Sequence, residues 1–127
     1  MPALERVRTT RVAARPAALD RASWPAGLIV LRTAPDEALV IGTVEPDRVA
    51  DPHALVESDT GWFGVWFTRA ESTARLERHC RWDWPRHPGP LAQGAVAGLP
   101  VKLWMEADRV LWLVPEAFAA EFEARIL

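Results

Sequence analysis

The sequence has one cysteine and no long apolar run, and each of these scarcities excludes a class of protein. A single cysteine in 127 residues cannot form an internal disulfide, which favours a reducing compartment. The apolar runs are far shorter than the ~18 residues that a membrane-spanning helix needs. The N-terminus also lacks the continuous apolar stretch of a signal peptide. We therefore expect a cytoplasmic protein without membrane attachment.

The sequence also lacks phosphate-binding and dinucleotide-binding glycine motifs, internal repeats and a strong excess of basic charge. Its formal net charge is −2. Five arginines against Glu5 and Asp20 make residues 1–23 basic, so the remaining chain is acidic. This overall acidity argues against a nucleic-acid partner.

What the chain does have is apolar content and tryptophan. Half of its residues are hydrophobic, and this length suits one small domain with one core. Seven tryptophans are unusual, because the indole has a large apolar body and a single donor that needs a partner when buried. We expect some of these rings at an interface.

The first half of the chain predicts an arm, a hairpin and a loop. Residues 1–23 alternate arginine with small residues, and we interpret them as an arm or a first irregular strand without its own core. Leu28–Arg32 and Ala38–Gly42 are short β-branched runs around a Pro-Asp turn, which predicts a β-hairpin. Residues 45–53 are interpreted as a loop or a single helical turn.

The second half predicts strands and two main helices. Trp62–Phe67 is a strand, and residues 70–80 have helical spacing with acids early and arginines late. Three short strands follow, with breaks at Gly98-Leu99-Pro100 and Glu106-Ala107-Asp108. A last helix begins at Pro115 and carries an apolar stripe of Phe118, Phe122 and Ile126. The predicted fold is α+β: a single small domain with a mixed or antiparallel sheet.

The segment HCRWDWPRH contains residue types that bind zinc or build a nucleophile. His79, Asp83 and His87 would share a helix face only if the helix continued, and Pro85 prevents this. Zinc needs three or four converging ligands, so we predict no metal site. Cys80 at a helix C-terminus faces the wrong end of the helix dipole for a thiolate. We predict no catalytic residue in this chain.

Two further groups of residues are candidate functional sites. Asp36 and Glu37 are adjacent in a turn, where turn chemistry explains them better than acid–base catalysis. Asp59, Trp62 and Trp66 are the candidate ligand-binding residues, because an acid entering a strand beside indole rings could hold a flat ligand. Structural anchoring by Asp59 and core or interface packing by the tryptophans are the alternatives.

Three stretches in order resemble the gamma subunit of heterotetrameric sarcosine oxidase, a family similar to the folate-binding domain of the glycine-cleavage aminomethyltransferase. They are LRTAPDEALVIG, the strand and helix running from Val56 to Trp84, and the terminal RVLWLVPEAFAAEFEARIL. Cys80 and Asp83 fit the family's Cys-x-x-Asp corner, where both residues are structural. Thr60-Gly61-Trp62 departs from the family's usual Ser-His-aromatic stretch.

The resemblance implies an aminomethyltransferase-like domain over residues 24–127 and a role as a noncatalytic accessory subunit that stabilises an amine oxidase used in bacterial sarcosine catabolism. It also implies that FAD, FMN, NAD and tetrahydrofolate belong to larger flavoprotein and folate-domain partner subunits, with no cofactor bound by this chain. The alternative function is a free-standing folate- or pterin-binding module. A homodimer of the isolated chain stays open.

Overall fold

The computed structural model describes residues 2–79 and 89–127, in which strands dominate. The seven strands are β1 (Glu5–Ala13), β2 (Ile29–Ala34), β3 (Glu37–Ile41), β4 (Leu55–Thr68), β5 (Leu91–Val96), β6 (Leu99–Met105) and β7 (Arg109–Pro115). The α-helices are α1 (Pro16–Asp20), α2 (Arg69–His79) and α3 (Ala119–Arg125). Short 3₁₀ turns occupy Pro46–Arg48 and Glu116–Phe118. Antiparallel strand pairs with separate helices agree with the predicted α+β class.

The chain forms two compact units. The first unit contains residues 7–60, and the second contains the residues up to Arg6 together with residues 61–127. Strands β1 and β4 each contribute residues to both units. The predicted boundary between residues 23 and 24 stays a prediction.

In the first unit the strands pair in the order β2-β3-β1, all antiparallel. The predicted hairpin is confirmed, because β2 pairs with β3 and the two strands flank Pro35-Asp36. The predicted single helical turn is also present, as the 3₁₀ turn at Pro46–Arg48. A small apolar core lies beneath these strands and contains Val12, Ala18, Leu19, Ala38, Val40, Val44 and Val49.

The N-terminal residues contain a regular strand, β1, and contribute side chains to the core. β1 pairs with β3 from Thr9↔Ile41 to Ala13↔Glu37, and Val12 and Leu19 are buried in the core. The alternative of a first strand is thus confirmed. The expectation that this segment lacks a core was wrong, because part of the buried surface of β1 is threonine and not aliphatic. Thr9 and Thr10 are buried with hydroxyl groups that donate to backbone carbonyl oxygens.

In the second unit the strands pair in the order β4-β7-β6-β5, again antiparallel. The predicted strand at Trp62–Phe67 is confirmed within the longer β4. The turn between β5 and β6 is Ala97-Gly98, and both residues have positive φ, +52° and +79°. Such two-residue turns match the twist of a hairpin. The predicted break at Gly98-Leu99-Pro100 was therefore placed too late, and Leu99 and Pro100 belong to β6.

The core of the second unit is built around three aromatic rings. Trp112 is fully buried, and its ring meets Phe67 at 5.5 Å and Phe122 at 6.0 Å between centroids, both in edge-on geometry. The indole N–H donates to the hydroxyl of Ser72 at 2.9 Å. Edge-on aromatic pairs of this kind add to the free energy gained by burial.

Helix α2 begins at a reciprocal cap. The Thr68 hydroxyl accepts from the Glu71 amide at 3.1 Å, and the Glu71 carboxylate accepts from the Thr68 amide at 2.8 Å. The hydrogen bond from the Thr68 amide also lowers the pKa of Glu71. The predicted helix is thus confirmed over Arg69–His79.

The C-terminal helix was predicted in the right place with the wrong first residue. Pro115 has an extended backbone and ends β7, and the chain then makes a 3₁₀ turn before α3. Phe122 and Ile126 are buried in the core and Phe118 is half-buried against it. The predicted apolar stripe therefore packs on the sheet of its own unit.

Candidate functional site

A groove crosses one face of the sheet in the second unit. Along β4, Phe63, Val65 and Phe67 point to the core, so alternation places Trp62 and Trp66 on the opposite face. Strand pairing places Pro115 of β7 opposite Trp62, and Ala95 of β5 opposite Pro100 of β6. These short side chains leave room beside the Trp62 ring. The groove has a volume of about 350 Å³, and its walls include Trp62, Gln93, Ala95, Pro100, Lys102 and Pro115. This size and apolar lining suit a small ligand or an inserted side chain.

Lys102 supplies the charge of the groove. Its ammonium donates to Oε1 of Gln93 at 2.6 Å and lies 5.2 Å from the centre of the Trp62 ring. Gln93 and Lys102 are directly opposite each other in the β5–β6 ladder, which explains why their side chains meet. The described contacts of the Lys102 ammonium are therefore an amide oxygen and the face of an indole ring.

Trp66 lies on the same face of β4 but has a different neighbour. The guanidinium of Arg109 stacks 3.7 Å from the centre of the Trp66 ring, and its Nε donates to Glu106 at 2.9 Å. Trp66 is not among the described residues that line the groove. The structure therefore separates the role of Trp66, which holds Arg109, from that of Trp62.

Asp59 belongs to the first unit, where its backbone carbonyl accepts a hydrogen bond from the Thr9 hydroxyl. This contact holds β4 through the backbone of Asp59. Such a contact agrees with the alternative that Asp59 is a structural anchor. Asp59 is also not one of the described residues that line the groove. A ligand-binding role for the Asp59 carboxylate stays a prediction.

The corner formed by Cys80 and Asp83 lies outside the described residues, as does His87. His79 is described: it ends α2, and its carbonyl accepts from the Ala97 amide at 3.0 Å. Over residues 2–79 and 89–127, no three His, Cys, Asp or Glu side chains are grouped so as to hold a metal ion. The structural role predicted for Cys80 and Asp83 stays a prediction.

The two acidic residues at the first hairpin have separate partners. Glu37 begins β3 and accepts from Arg11 Nε at 2.6 Å, while the Asp36 carbonyl accepts from the Ala14 amide at 3.0 Å. The Glu37 side chain is half-buried, because β1 brings Arg11 beside it, a pairing that the sequence did not predict.

A buried carboxylate that sequence reasoning missed organises the first unit. Asp51 accepts from the backbone amides of Arg15 and His53, each at 2.9 Å, and its side chain is 2% exposed. These two backbone hydrogen bonds lower the pKa of Asp51. Since Arg15 immediately precedes α1, Asp51 fixes the start of that helix. In the sequence, the only local signal at Asp51 is that it precedes Pro52.

The sequence signals for the groove were also weak. Lys102 is the one lysine of the chain and interrupts an otherwise apolar strand, PVKLW. That interruption could have drawn attention to Lys102. Its partners Gln93 and Trp62 follow only from the strand register, which local patterns do not determine.

The fold defined by this antiparallel sheet and its helices has a counterpart among solved structures. The match has a TM-score of 0.73 and 19% sequence identity, and it covers 98% of this chain and 81% of the other. The matched structure is the heterotetrameric sarcosine oxidase from Corynebacterium sp. U-96 in complex with pyrrole 2-carboxylate. The resemblance to sarcosine oxidase that three sequence motifs predicted is thus confirmed as a likeness of fold.

No family model matches the chain, and no curated protein matches it either. In the described part of the chain, none of the helices combines the length and apolar character needed to cross a membrane.

Proposed function

We propose that this chain is a noncatalytic, gamma-like accessory subunit of a heteromeric amine oxidase of the sarcosine oxidase type, and that it stabilises the assembly. The observation that carries the proposal is the fold match along 98% of the chain to a chain of a heterotetrameric sarcosine oxidase. The order of the three sequence motifs supports the same relationship, because they span residues 31–127.

In this proposal the larger subunits hold the redox and folate chemistry. Flavoprotein and folate-domain partners carry FAD, FMN, NAD and tetrahydrofolate, and the present chain binds none of them. The chain then keeps an aminomethyltransferase-like fold from a common ancestor and does not use it for catalysis. The complex works in the cytoplasm. Apolar groove walls and half-buried indole rings are the kind of surface that interfaces use.

Co-expression tests the accessory role. The chain is produced with the larger sarcosine-oxidase-type subunits encoded in the same genome, and the mixture is separated by size-exclusion chromatography. We expect one shared peak. Without this chain, the remaining complex should have a lower thermal midpoint and an unchanged turnover of sarcosine per flavin.

Two results would contradict this proposal. Separate elution of the chain and the larger subunits would remove the accessory role. If the complex without this chain stayed assembled but lost turnover per flavin, the chain would take part in the reaction.

The groove favours one alternative, a free-standing module that binds folate or another pterin. Trp62 lines a space of about 350 Å³, large enough for part of such a ligand. Titration of folates against tryptophan fluorescence tests this function, with Trp62→Phe and Trp66→Phe as a matched pair. Ligand binding in the groove should quench the tryptophan fluorescence of the wild type and of Trp66→Phe, but not that of Trp62→Phe. An absence of quenching at near-millimolar folate would exclude the module.

A further inference from the structure

We propose that a hollow between Arg15 and Arg21 in the first unit binds the phosphate group of a small phosphate monoester. The hollow has a volume of about 290 Å³, and the described residues that line it are the two arginines, Ala18 and Ala50. All four residues belong to the first unit. The inference does not depend on the proposed accessory function, because it concerns the isolated chain.

The spacing along the chain places both arginines on one side of α1. Arg15 immediately precedes this helix and Arg21 immediately follows it, with the buried Ala18 between them. Residues three apart are neighbours on a helix surface, and six residues span ~9 Å of helix rise. Two side chains as long as arginine can therefore converge on one group above Ala18.

Both guanidinium groups are held at the same atom, Nε. Arg21 Nε donates to the Ala17 carbonyl at 3.2 Å, and Arg15 Nε lies 3.5 Å from Oδ2 of the buried Asp51. The backbone of Arg15 is fixed as well, because its amide donates to the same Asp51 oxygen at 2.9 Å. Among the described residues, no hydrogen bond occupies the terminal nitrogens of either arginine. Groups that are positioned in this way before binding lose little freedom when a ligand arrives.

The acids near the hollow leave it with a positive charge. Asp20 forms an ion pair with Arg32 at 2.9 Å. Asp51 is buried and accepts two backbone amides, so it offsets only part of the charge of Arg15. Within the described part of the chain, no carboxylate forms an ion pair with Arg21. The hollow therefore favours an anion.

The number of donors selects the kind of anion. A carboxylate has two oxygens, which one arginine fork can satisfy. A phosphate monoester has three strong acceptor oxygens and nearly two negative charges at neutral pH, so it can use both forks at once. The volume of about 290 Å³ lies at the lower end of the ~300–1,000 Å³ of small-molecule sites. This size suits the phosphate group with a short remainder.

Calorimetric titration of the 127-residue chain with methyl phosphate tests the site. We expect saturable binding at one site, and Arg21→Gln should weaken it at least ~10-fold, the loss expected for one charge-assisted fork. Arg8→Gln removes the same charge at an exposed position of β1 and should stay within ~2-fold of the wild type. Dimethyl phosphate has the same tetrahedral shape but one charge and two free oxygens, so it should also bind at least ~10-fold more weakly.

Several outcomes would overturn the site. Equal binding of methyl phosphate by Arg21→Gln and Arg8→Gln would show unspecific attraction, and heats that do not saturate would show no site. Sedimentation with phosphatidylcholine vesicles, with and without phosphatidic acid, separates a soluble monoester from a lipid headgroup. Binding to the acidic vesicles without binding of methyl phosphate would contradict the small-molecule assignment.

A second variant protects the test against unfolding. If circular dichroism shows that Arg21→Gln has lost its fold, Arg21→Lys decides, because it keeps the charge and loses the planar fork. Its affinity for methyl phosphate should be lower than that of the wild type, and an unchanged affinity would contradict recognition by the fork. Since no partner subunit is present in these measurements, their failure leaves the accessory function untouched, and failed co-assembly leaves the phosphate site untouched.

Discussion

The indole N–H of Trp112 donates its hydrogen bond to the hydroxyl of Ser72, joining a fully buried ring of the second unit to the first turns of α2. Both side chains are buried, so water cannot replace either partner. A buried donor without an acceptor keeps the full cost of its lost hydration. This pair therefore makes a sharp test of the core.

Ser72→Ala should lower the free energy of unfolding by ~1–3 kcal/mol, because it leaves the Trp112 N–H buried without an acceptor. Urea denaturation followed by circular dichroism measures the change. Thr73→Ala on the exposed side of the same helix is the control and should shift stability by less than ~0.5 kcal/mol. Equal stability of both variants would contradict the hydrogen bond.

Phe122→Ala should destabilise the chain by ~3–5 kcal/mol, because a fully buried ring in contact with Trp112 is replaced by a cavity. The thermal midpoint and the denaturant midpoint both report the loss. Glu121→Ala serves as the neighbour control: its exposed ion pair with Arg125 should contribute no more than ~0.5 kcal/mol. An unchanged midpoint for Phe122→Ala would show that the ring is not in the core.

Leu19→Ala should cost ~2–5 kcal/mol, since Leu19 of α1 is buried beneath the strands of the first unit. The same substitution at Leu55, which is 60% exposed, should change little. For the same reason, deletion of residues 1–20 should unfold the first unit, although the sequence predicts a segment without its own core there. If thermal unfolding shows no difference between the two leucine variants, the N-terminal segment is dispensable after all.

Acid should weaken the first unit through Asp51. Its pKa is lowered by the folded structure, so the carboxylate stabilises the fold above its ordinary pKa of 3.8, and this contribution disappears as the pH falls through the lower folded pKa. Asp51→Asn should therefore be less stable than the wild type at neutral pH, with a difference that shrinks below pH ~4. Asp47→Asn, at an exposed position, should run parallel to the wild type. A pH-independent difference for Asp51→Asn would contradict the linkage.

Local patterns were sufficient where local chemistry determines the structure. The hairpin of β2 and β3 follows from a Pro-Asp turn between two β-branched runs. Helix α2 follows from its helical spacing and charge order, and the cap of Thr68 and Glu71 agrees with them. The buried stripe of Phe122 and Ile126 follows from the period of a helix.

Long-range pairing was beyond the reach of those patterns. Thr10 bonds the carbonyl of Gly42, and Arg11 meets Glu37, both across more than twenty residues of chain. Without these partners, β1 looks like a polar arm. The groove is hidden in the same way, because Trp62 and Lys102 become neighbours only after three strands have paired in register.

The ammonium that lies over Trp62 belongs to the only lysine of the chain. Reagents that acylate primary amines can therefore modify the protein at the groove and, apart from the α-amino group, at no other side chain. A direct amine-to-carboxyl coupling reagent would join Lys102 to a bound chain wherever an acidic residue of that chain contacts the ammonium. The protein thus has a single reactive lysine, and it lies at the groove. Sequencing the peptide cross-linked to Lys102 would identify a chain bound there.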